Sequence, residues 1–230
     1  MNYATQRRPL SQPLAAANDA LWVTYRWMSL GLALTGLVAL GVASSPAALS
    51  IVVGNKLVFY GLLFAQLGLV FGFSAVAQRA STAVTAAMFF AYAALTGVTF
   101  SVLFLVYTLG SIAGVFFVTA GAFAGLSVFG LFTKRDLSAI GRFAIFALIG
   151  VILATVLNIF VASSGLGFLI NVAGVVLFAA LTAYDTQKLK EMFASGEAHA
   201  NLPLVGALTL YLDFINMFLF LLRLGGSRRD

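Results

Sequence analysis

The feature that most constrains this chain is a series of uncharged apolar runs, each long enough to cross a bilayer as a helix. About 20 apolar residues span the hydrocarbon core. Runs of this length provide one span each in residues 27–55, 57–78 and 202–222, and two spans each in 80–133 and 143–184. Turn residues interrupt the two longer runs at Tyr107–Gly110 and Ser163–Gly165. The sequence therefore predicts an all-α membrane protein with seven transmembrane helices.

Composition supports the membrane prediction and excludes several other classes of protein. The chain is 62% hydrophobic and 9% charged, whereas a soluble domain carries about 25% charged residues. It has no cysteine, and His199 is its single histidine, so thiolate and multi-histidine metal sites are excluded. The net charge of +6 comes from scattered Lys and Arg residues, a pattern typical of lipid contact and not of a nucleic-acid-binding face. We expect no cofactor.

The predicted domain organisation is one membrane domain with a short tail at each end. Residues 1–18 are polar and contain two prolines, so we expect a flexible cytoplasmic tail. A short amphipathic piece, 19–26, is expected at the interface, where Trp and Tyr are favoured. Residues 19–226 form the seven-helix domain, and 227–230 form the C-terminal tail.

The distribution of basic residues predicts the orientation. With a cytoplasmic N-terminus, nine of the thirteen Lys and Arg residues fall on the inside and four on the outside, as the positive-inside rule requires. Arg223, Arg228 and Arg229 disagree, because seven spans place them outside. A re-entrant last segment would return them to the inside, and such backbone is tolerated where it lines a cavity. The full span is preferred, and the side of the C-terminus stays open.

Two aspartates interrupt the last two apolar segments. An ionisable side chain at membrane depth costs several kcal/mol unless it is protonated, paired or hydrated, so Asp185 and Asp213 are candidate functional residues. Neighbouring polar residues share their helix faces by spacing, namely Thr182 with Asp185, and Thr209 and Asn216 with Asp213. Gln66 is a further polar residue in the second span. These polar residues line either a pore or a structural hydrogen-bond seam, and Asp185 alone could be a solvated charge at a helix end.

A contact between the aspartates would have definite chemistry. Two carboxylates in a low dielectric share one proton and titrate as a coupled pair. Arg79, at the inner end of the second span, would compete by pairing with an ionised carboxylate, which gives a two-state gate. When both are ionised, Asp185 and Asp213 offer oxygens suited to calcium. Asp185 lies nearer the cytoplasm than Asp213, so the contact requires helix tilt.

Three strings resemble the Bax inhibitor family of seven-helix membrane proteins: FAALTAYDTQKLK, LTLYLDFINMFLFLLR and YTLGSIAGVFFVTAGAFAGLSVFGLFTKRDLS. The resemblance covers Trp22 to Gly226 and is to bacterial members, which implies the inner membrane. It implies a central seventh helix surrounded by the other six and a pH-dependent calcium leak. It also implies a di-aspartate pH sensor, which Asp185 and Asp213 match, with Arg79 matching the paired arginine. The acidic residue that the family often has in the second span is absent near Gln66, which weakens the calcium assignment.

Two other functions remain open beside a calcium (cation) leak that protons gate. An intramembrane aspartyl protease also uses two aspartates, and Tyr184-Asp185 fits its first motif, but Asp213 lacks the preceding Gly-x-Gly. We therefore do not expect an enzyme. A regulator without transport activity would bind a membrane protease or a stress-response complex, and the loop Thr133–Ser138 is its candidate contact, unless that loop merely caps two helices.

Overall fold

The fold is a bundle of long helices, and the computed structural model describes residues 11–195 and 199–229. The helices are α1 (Ser11–Ala43), α2 (Pro46–Gly54), α3 (Lys56–Val76), α4 (Thr82–Phe100), α5 (Leu103–Val106), α6 (Leu109–Phe132), α7 (Ser138–Val161), α8 (Ser164–Ala194) and α9 (Leu202–Gly225). By length and composition, seven stretches in the described ranges can cross a membrane; α4 and α5 together make one, and α2 makes none. The predicted all-α architecture with seven spans is confirmed.

Polar side chains set the starts of the helices. Ser45, Asn55, Ser81, Thr108 and Ser163 each accept a hydrogen bond from a backbone N–H two or three residues later. An N-cap of this kind satisfies a donor that the first turn leaves free, which matters most where no water is available. The two breaks predicted inside the long apolar runs fall at Thr108 and Ser163.

The last helix, α9, lies at the centre of the bundle. Two thirds of its spanning window, 67%, is buried, against 6% for α3 and for α7. It packs against α1, α4, α6 and α8, while α3 packs on α4 and α7 on α8. Tyr211 on α9 is fully buried, and its hydroxyl lies 2.7 Å from the Thr35 hydroxyl on α1. The expected central seventh helix is therefore confirmed.

The first helix starts earlier than the sequence predicted. Residues 11–18, expected to be tail, and 19–26, expected to be an interfacial piece, are continuous with the span in α1. Alanines favour helix here, and Pro13 is tolerated in a first turn. Ala17 and Leu21 are buried in the core, which fixes this extension on the bundle. Residues 11–18, which were expected to be tail, are therefore helical, and residues 1–10 lie outside the described part.

Contacts at the two ends of α9 show that it runs through the whole bundle. At its start, Asn201 donates a 2.8 Å hydrogen bond to the Ala77 carbonyl, in the turn after α3. Beyond its end, the Arg229 amide donates to the Val106 carbonyl, at the opposite end. The re-entrant alternative is therefore wrong. We call the end that holds Asn201 the predicted cytoplasmic end, because the orientation in the membrane stays a prediction.

Candidate functional site

The structure brings the two aspartates together between α8 and α9. Asp213 is 4% exposed and Asp185 is half-buried, and their carboxyl groups lie within hydrogen-bonding reach of each other. The Oδ2 atom of Asp213 has no hydrogen-bond donor among the residues described. A carboxylate only accepts hydrogen bonds, so a hydrogen bond between these two groups requires a proton on one of them.

The length of α8 explains how the aspartates reach one level. The helix continues to Ala194, which places Asp185 about 14 Å from its end at 1.5 Å per residue. Asp213 lies about 18 Å along α9 from Asn201 by the same rise. The sequence predicted that Asp185 lies clearly nearer the cytoplasm than Asp213, but in the structure the difference in depth is small. The reason is that Lys188 and Lys190 lie within α8 and do not mark its end.

A crevice of about 590 Å³ opens beside the pair, between α7, α8 and α9. The predicted polar face of α9 lines it with Thr209, Asp213, Asn216 and Arg223. Most other lining side chains are apolar, including those that α7 contributes apart from a single threonine. Polar groups therefore follow one line along α9 and are joined by Tyr184, Asp185 and Lys188 of α8, in a crevice whose other lining is mostly apolar.

The cations of the crevice come from α8 and α9. Lys188 interacts electrostatically with Asp185, and its ammonium lies 5.7 Å from the centre of the Tyr184 ring. Arg223 lines the other end and lies 5.8 Å from the Phe220 ring. Sequence reasoning did not assign Lys188 to the site. Its position three residues after Asp185, on the same helix face, was the available signal.

The structure does not bring Arg79 to the aspartates. Arg79 is exposed in the turn after α3, and it is not among the residues that line the crevice. Asn201 fixes this turn by hydrogen bonds to the carbonyls of Ala77 and Ala80. Asp213 is about 18 Å further along α9, beyond the reach of an arginine side chain. The expected Arg79–carboxylate contact is therefore not part of this conformation.

The other predicted polar residues divide into two groups. Thr209 and Asn216 line the crevice, and each donates to a carbonyl four residues earlier on α9. Gln66 lies in a separate seam between α3 and α4, where its amide donates a 2.7 Å hydrogen bond to Thr99. Thr182 is fully buried and donates to the Phe178 carbonyl, and it does not line the crevice.

Comparison with known proteins agrees with this architecture. A family model described as "Inhibitor of apoptosis-promoting Bax1" matches residues 17–230. The chain belongs to the Bax inhibitor family. It is 46% identical over 223 residues to "Inner membrane protein YbhL" of Escherichia coli (strain K12), with 95% of each chain covered. An "Uncharacterized protein" of Deinococcus radiodurans is 49% identical over 208 residues, with 89% of each chain covered.

As a member of the Bax inhibitor family, this chain is a multi-pass membrane protein with a bacterial inner-membrane relative. Its aspartate pair does not form a complete metal site. No three His, Cys, Asp or Glu side chains come together to hold a metal within residues 11–195 and 199–229. Calcium takes about six to eight oxygen ligands, and two carboxyl groups supply at most four. A calcium ion at this pair would need oxygens from water or from neighbouring amide and hydroxyl groups.

The loop between α6 and α7 is held as a cap by Gln187 of α8. Its side chain accepts from the Leu137 amide and donates to the Arg135 carbonyl, both at 2.9 Å. Asp136, which is fully exposed, accepts a 2.8 Å hydrogen bond from the Ser138 amide. Hydrogen bonds from the side chain and backbone of Ser138 hold the pKa of Asp136 below its usual range. The geometry of the loop Thr133–Ser138 is therefore that of a cap.

Proposed function

We propose that this member of the Bax inhibitor family is a pH-sensitive cation leak, and that the carboxyl pair Asp185–Asp213 is its gate. The observation that carries the proposal is the direct approach of two carboxyl groups inside a membrane domain, one of them almost fully buried. A bundle that needed only stability would gain little from such a pair, because replacing buried charged groups by apolar ones is often neutral or stabilising.

The gate works through a shared proton. With one proton, the pair carries a single charge and a hydrogen bond that joins α8 to α9. Without it, two like charges about 4 Å apart repel by about 4 kcal/mol at an effective dielectric constant of 20. That repulsion favours separation of the two helices, hydration of the crevice or capture of a cation. The leak therefore increases as pH rises through the titration of the pair.

The charges around the pair are consistent with this direction. Lys188 on α8 faces Asp185, Arg223 on α9 lines the far end, and α7 contributes only uncharged side chains to the crevice. The cations are separated from each other by the aspartates. These four groups sum to a charge of +1 when the pair holds one proton and to zero when it holds none, so an entering cation is repelled less after deprotonation of the pair. Calcium fits this proposal as cargo because every available ligand atom on the pair is a hard oxygen.

The position of Gln66 bears on the missing acidic residue of the second span. Gln66 is bound to Thr99 and Thr96 between α3 and α4, away from the crevice. The path that we propose, along Asp213 and Asn216, therefore does not depend on an acid at that position.

A liposome assay tests the proposal. The purified protein is reconstituted with a calcium dye inside, and the external pH is stepped upward and downward. We expect a calcium flux that increases with pH for the unmodified protein. Asp185→Asn and Asp213→Asn each remove the pH response, because an asparagine still donates a hydrogen bond to the remaining carboxylate but does not titrate.

The matched control is Asp136→Asn, which changes an exposed aspartate in the loop before α7 and keeps the side-chain oxygen that accepts from the Ser138 amide. Its leak should follow the unmodified protein at every pH. Absence of any leak at any pH contradicts transport and favours a regulator that binds another membrane protein. A pH response that persists in both Asp185→Asn and Asp213→Asn would support the leak and contradict the aspartate pair as its gate.

A further inference from the structure

A second groove, of about 1,350 Å³, runs between α1 and α6. Both helices pack on α8 and α9 but leave a space between them, with Phe214 of α9 among the residues that line it. The groove extends from Leu131 to Leu109 on α6, which is about 33 Å at 1.5 Å per residue. It therefore follows the bundle across the full thickness of a bilayer.

The polar residues of this groove all lie in one half of it. They are Asn18, Tyr25 and Ser29 of α1, Ser127 of α6 and Lys190 of α8. The other half, where α1 ends and α6 begins, is lined by apolar side chains and Gly36. The polar half lies at the predicted cytoplasmic end. This distribution matches a molecule with one polar head and a long apolar chain.

Ser127 has an unsatisfied hydroxyl at the groove. It is 5% exposed, and its Oγ atom has no hydrogen-bond partner in the described part of the chain. Several threonine hydroxyls in the spans bond to the carbonyl four residues earlier, as Thr119 does with Val115 at 2.7 Å. A buried donor without an acceptor is costly in a low dielectric, so a ligand with an acceptor oxygen at this depth would satisfy it.

Lys190 supplies positive charge one helical turn further toward the same end. Its ammonium donates a 2.6 Å hydrogen bond to the Leu131 carbonyl. Within residues 11–195 and 199–229, no other charged residue lines the groove. An ammonium has three donors, so two remain for an anion. The carbonyl contact holds the charge at the mouth of the groove, beside the unsatisfied hydroxyl.

We propose that the groove between α1 and α6 binds one anionic phospholipid from the leaflet at the end that holds Lys190. The lipid phosphate pairs with Lys190, an ester carbonyl accepts from the Ser127 hydroxyl, and an acyl chain lies along the apolar half between α1 and α6. The order of the polar groups, with charge outermost, hydroxyl next and apolar surface beyond, is the order of groups in a phospholipid.

Trp22 provides a direct probe because it lines the groove, and Trp27→Phe leaves it as the only tryptophan of the chain. The protein is purified in detergent and titrated with phosphatidylglycerol or phosphatidylcholine brominated on the acyl chains. We expect saturable quenching of Trp22 by the anionic lipid at lower concentration than by the zwitterionic one. Lys190→Gln should weaken anionic-lipid binding about fivefold, while Lys190→Arg should keep it.

Two matched controls separate the groove from general lipid contact. Lys134→Gln removes an exposed charge at the same end of the bundle and should leave quenching unchanged. Gly36→Leu fills the groove and should abolish the saturable phase, whereas Gly41→Leu, on the same helix but outside the groove, should keep it. A Cβ at either glycine meets nothing within 4 Å, so both variants can fold.

Three results would overturn the proposal. Quenching of Trp22 that rises linearly with both lipids, and that is the same in Lys190→Gln and Gly36→Leu, would indicate contact with bulk lipid only and no binding site. Saturable binding with equal affinity for the two lipids would contradict the proposed contact between the anionic headgroup and Lys190. Protection of Trp22 by a stable dimer in detergent, lost in Gly36→Leu, would assign the groove to a helix of a second copy.

Discussion

The two cavities of this bundle share α8 and α9 as walls, yet their polar groups are arranged in different ways. In the crevice between α7, α8 and α9, polar groups follow the whole length, from Lys188 past the aspartates to Arg223. In the groove between α1 and α6, they are confined to one half, near Lys190 and Ser127. A continuous polar line offers steps to an ion, whereas a single polar end suits the headgroup of an amphiphile.

One helix, α8, contributes polar side chains of different kinds to the two cavities. Asp185 and Lys190 are five residues apart on α8, so they face different directions and line different cavities. Lipid offers no hydrogen bonds to a helix, so each polar side chain needs a partner within the protein, from water or from a ligand. Within the described spans, Asp213 and Ser127 have buried oxygens without a hydrogen-bond partner, and these are the positions at which we propose that each cavity acts.

The largest effect is expected from Asp213→Asn, which should abolish the pH dependence of calcium flux and leave binding of the brominated anionic lipid unchanged. The substitution removes the titration from the crevice and leaves the groove intact. Calcium flux is measured after reconstitution in liposomes and quenching of Trp22 in detergent, with portions of the same purified protein. Loss of both properties together would mean that the two cavities are not separate functional regions.

A large effect on both cavities is expected from Gly130→Ala, because a Cβ there overlaps the Ala183 carbonyl of α8. Overpacking of this kind typically costs about 1–3 kcal/mol. Thermal unfolding in detergent should therefore occur at lower temperature, with losses of flux and of lipid binding. Gly125→Ala, on the same helix with nothing within 4 Å of its Cβ, is the control. Equal unfolding temperatures for the two variants would contradict the close packing of α6 on α8.

A moderate and selective effect is expected from Lys190→Gln, which should weaken anionic-lipid binding about fivefold and preserve the pH response of the flux. Lys190 lines the groove and is not among the residues that line the crevice. The pH profile of flux and the quenching curve are compared for one protein sample. A shifted pH profile would mean that the headgroup charge reaches the aspartate pair.

The smallest effect is expected from Asp136→Asn, outside both cavities. Because Ser138 lowers the pKa of Asp136 in the folded protein, this carboxylate contributes stability above its unfolded pKa, near 4. The contribution is lost as pH falls through the lower folded-state pKa. Unfolding of Asp136→Asn should therefore match the parent once the pH is below the folded-state pKa, and be slightly easier at neutral pH. Equal unfolding curves for the variant and the parent at all pH values would show that the hydrogen bonds from Ser138 to the Asp136 carboxylate do not contribute to stability.

Local patterns in the sequence predicted the parts of the site that lie on one helix. The spacing of Thr209, Asp213 and Asn216 placed them on one face, and the structure places all three at the crevice. Turn residues at Tyr107–Gly110 and Ser163–Gly165 also predicted where the long apolar runs break, and the structure places the helix caps Thr108 and Ser163 there. Helical periodicity and capping depend on neighbours within one or two turns, so the sequence carries them directly.

The remaining features depend on contacts between distant segments. Asn201 binds the turn after α3 and so keeps Arg79 at the end of the bundle, which no local pattern around Arg79 predicts. The level of Asp185 depends on how far α8 continues, and the groove depends on the space that α1 and α6 leave between them. These features follow from packing across the whole chain. The central position of α9 was expected only through the family resemblance.

The most direct test of the account is infrared difference spectroscopy of the reconstituted protein across a pH titration, which detects the C=O stretch of a protonated carboxyl group. We predict one titrating carboxyl band from the pair, absent in both Asp185→Asn and Asp213→Asn and unchanged in Asp136→Asn. A band that persists in both crevice variants would contradict the shared proton. The absence of a protonated carboxyl band from the pair at every pH would contradict it as well.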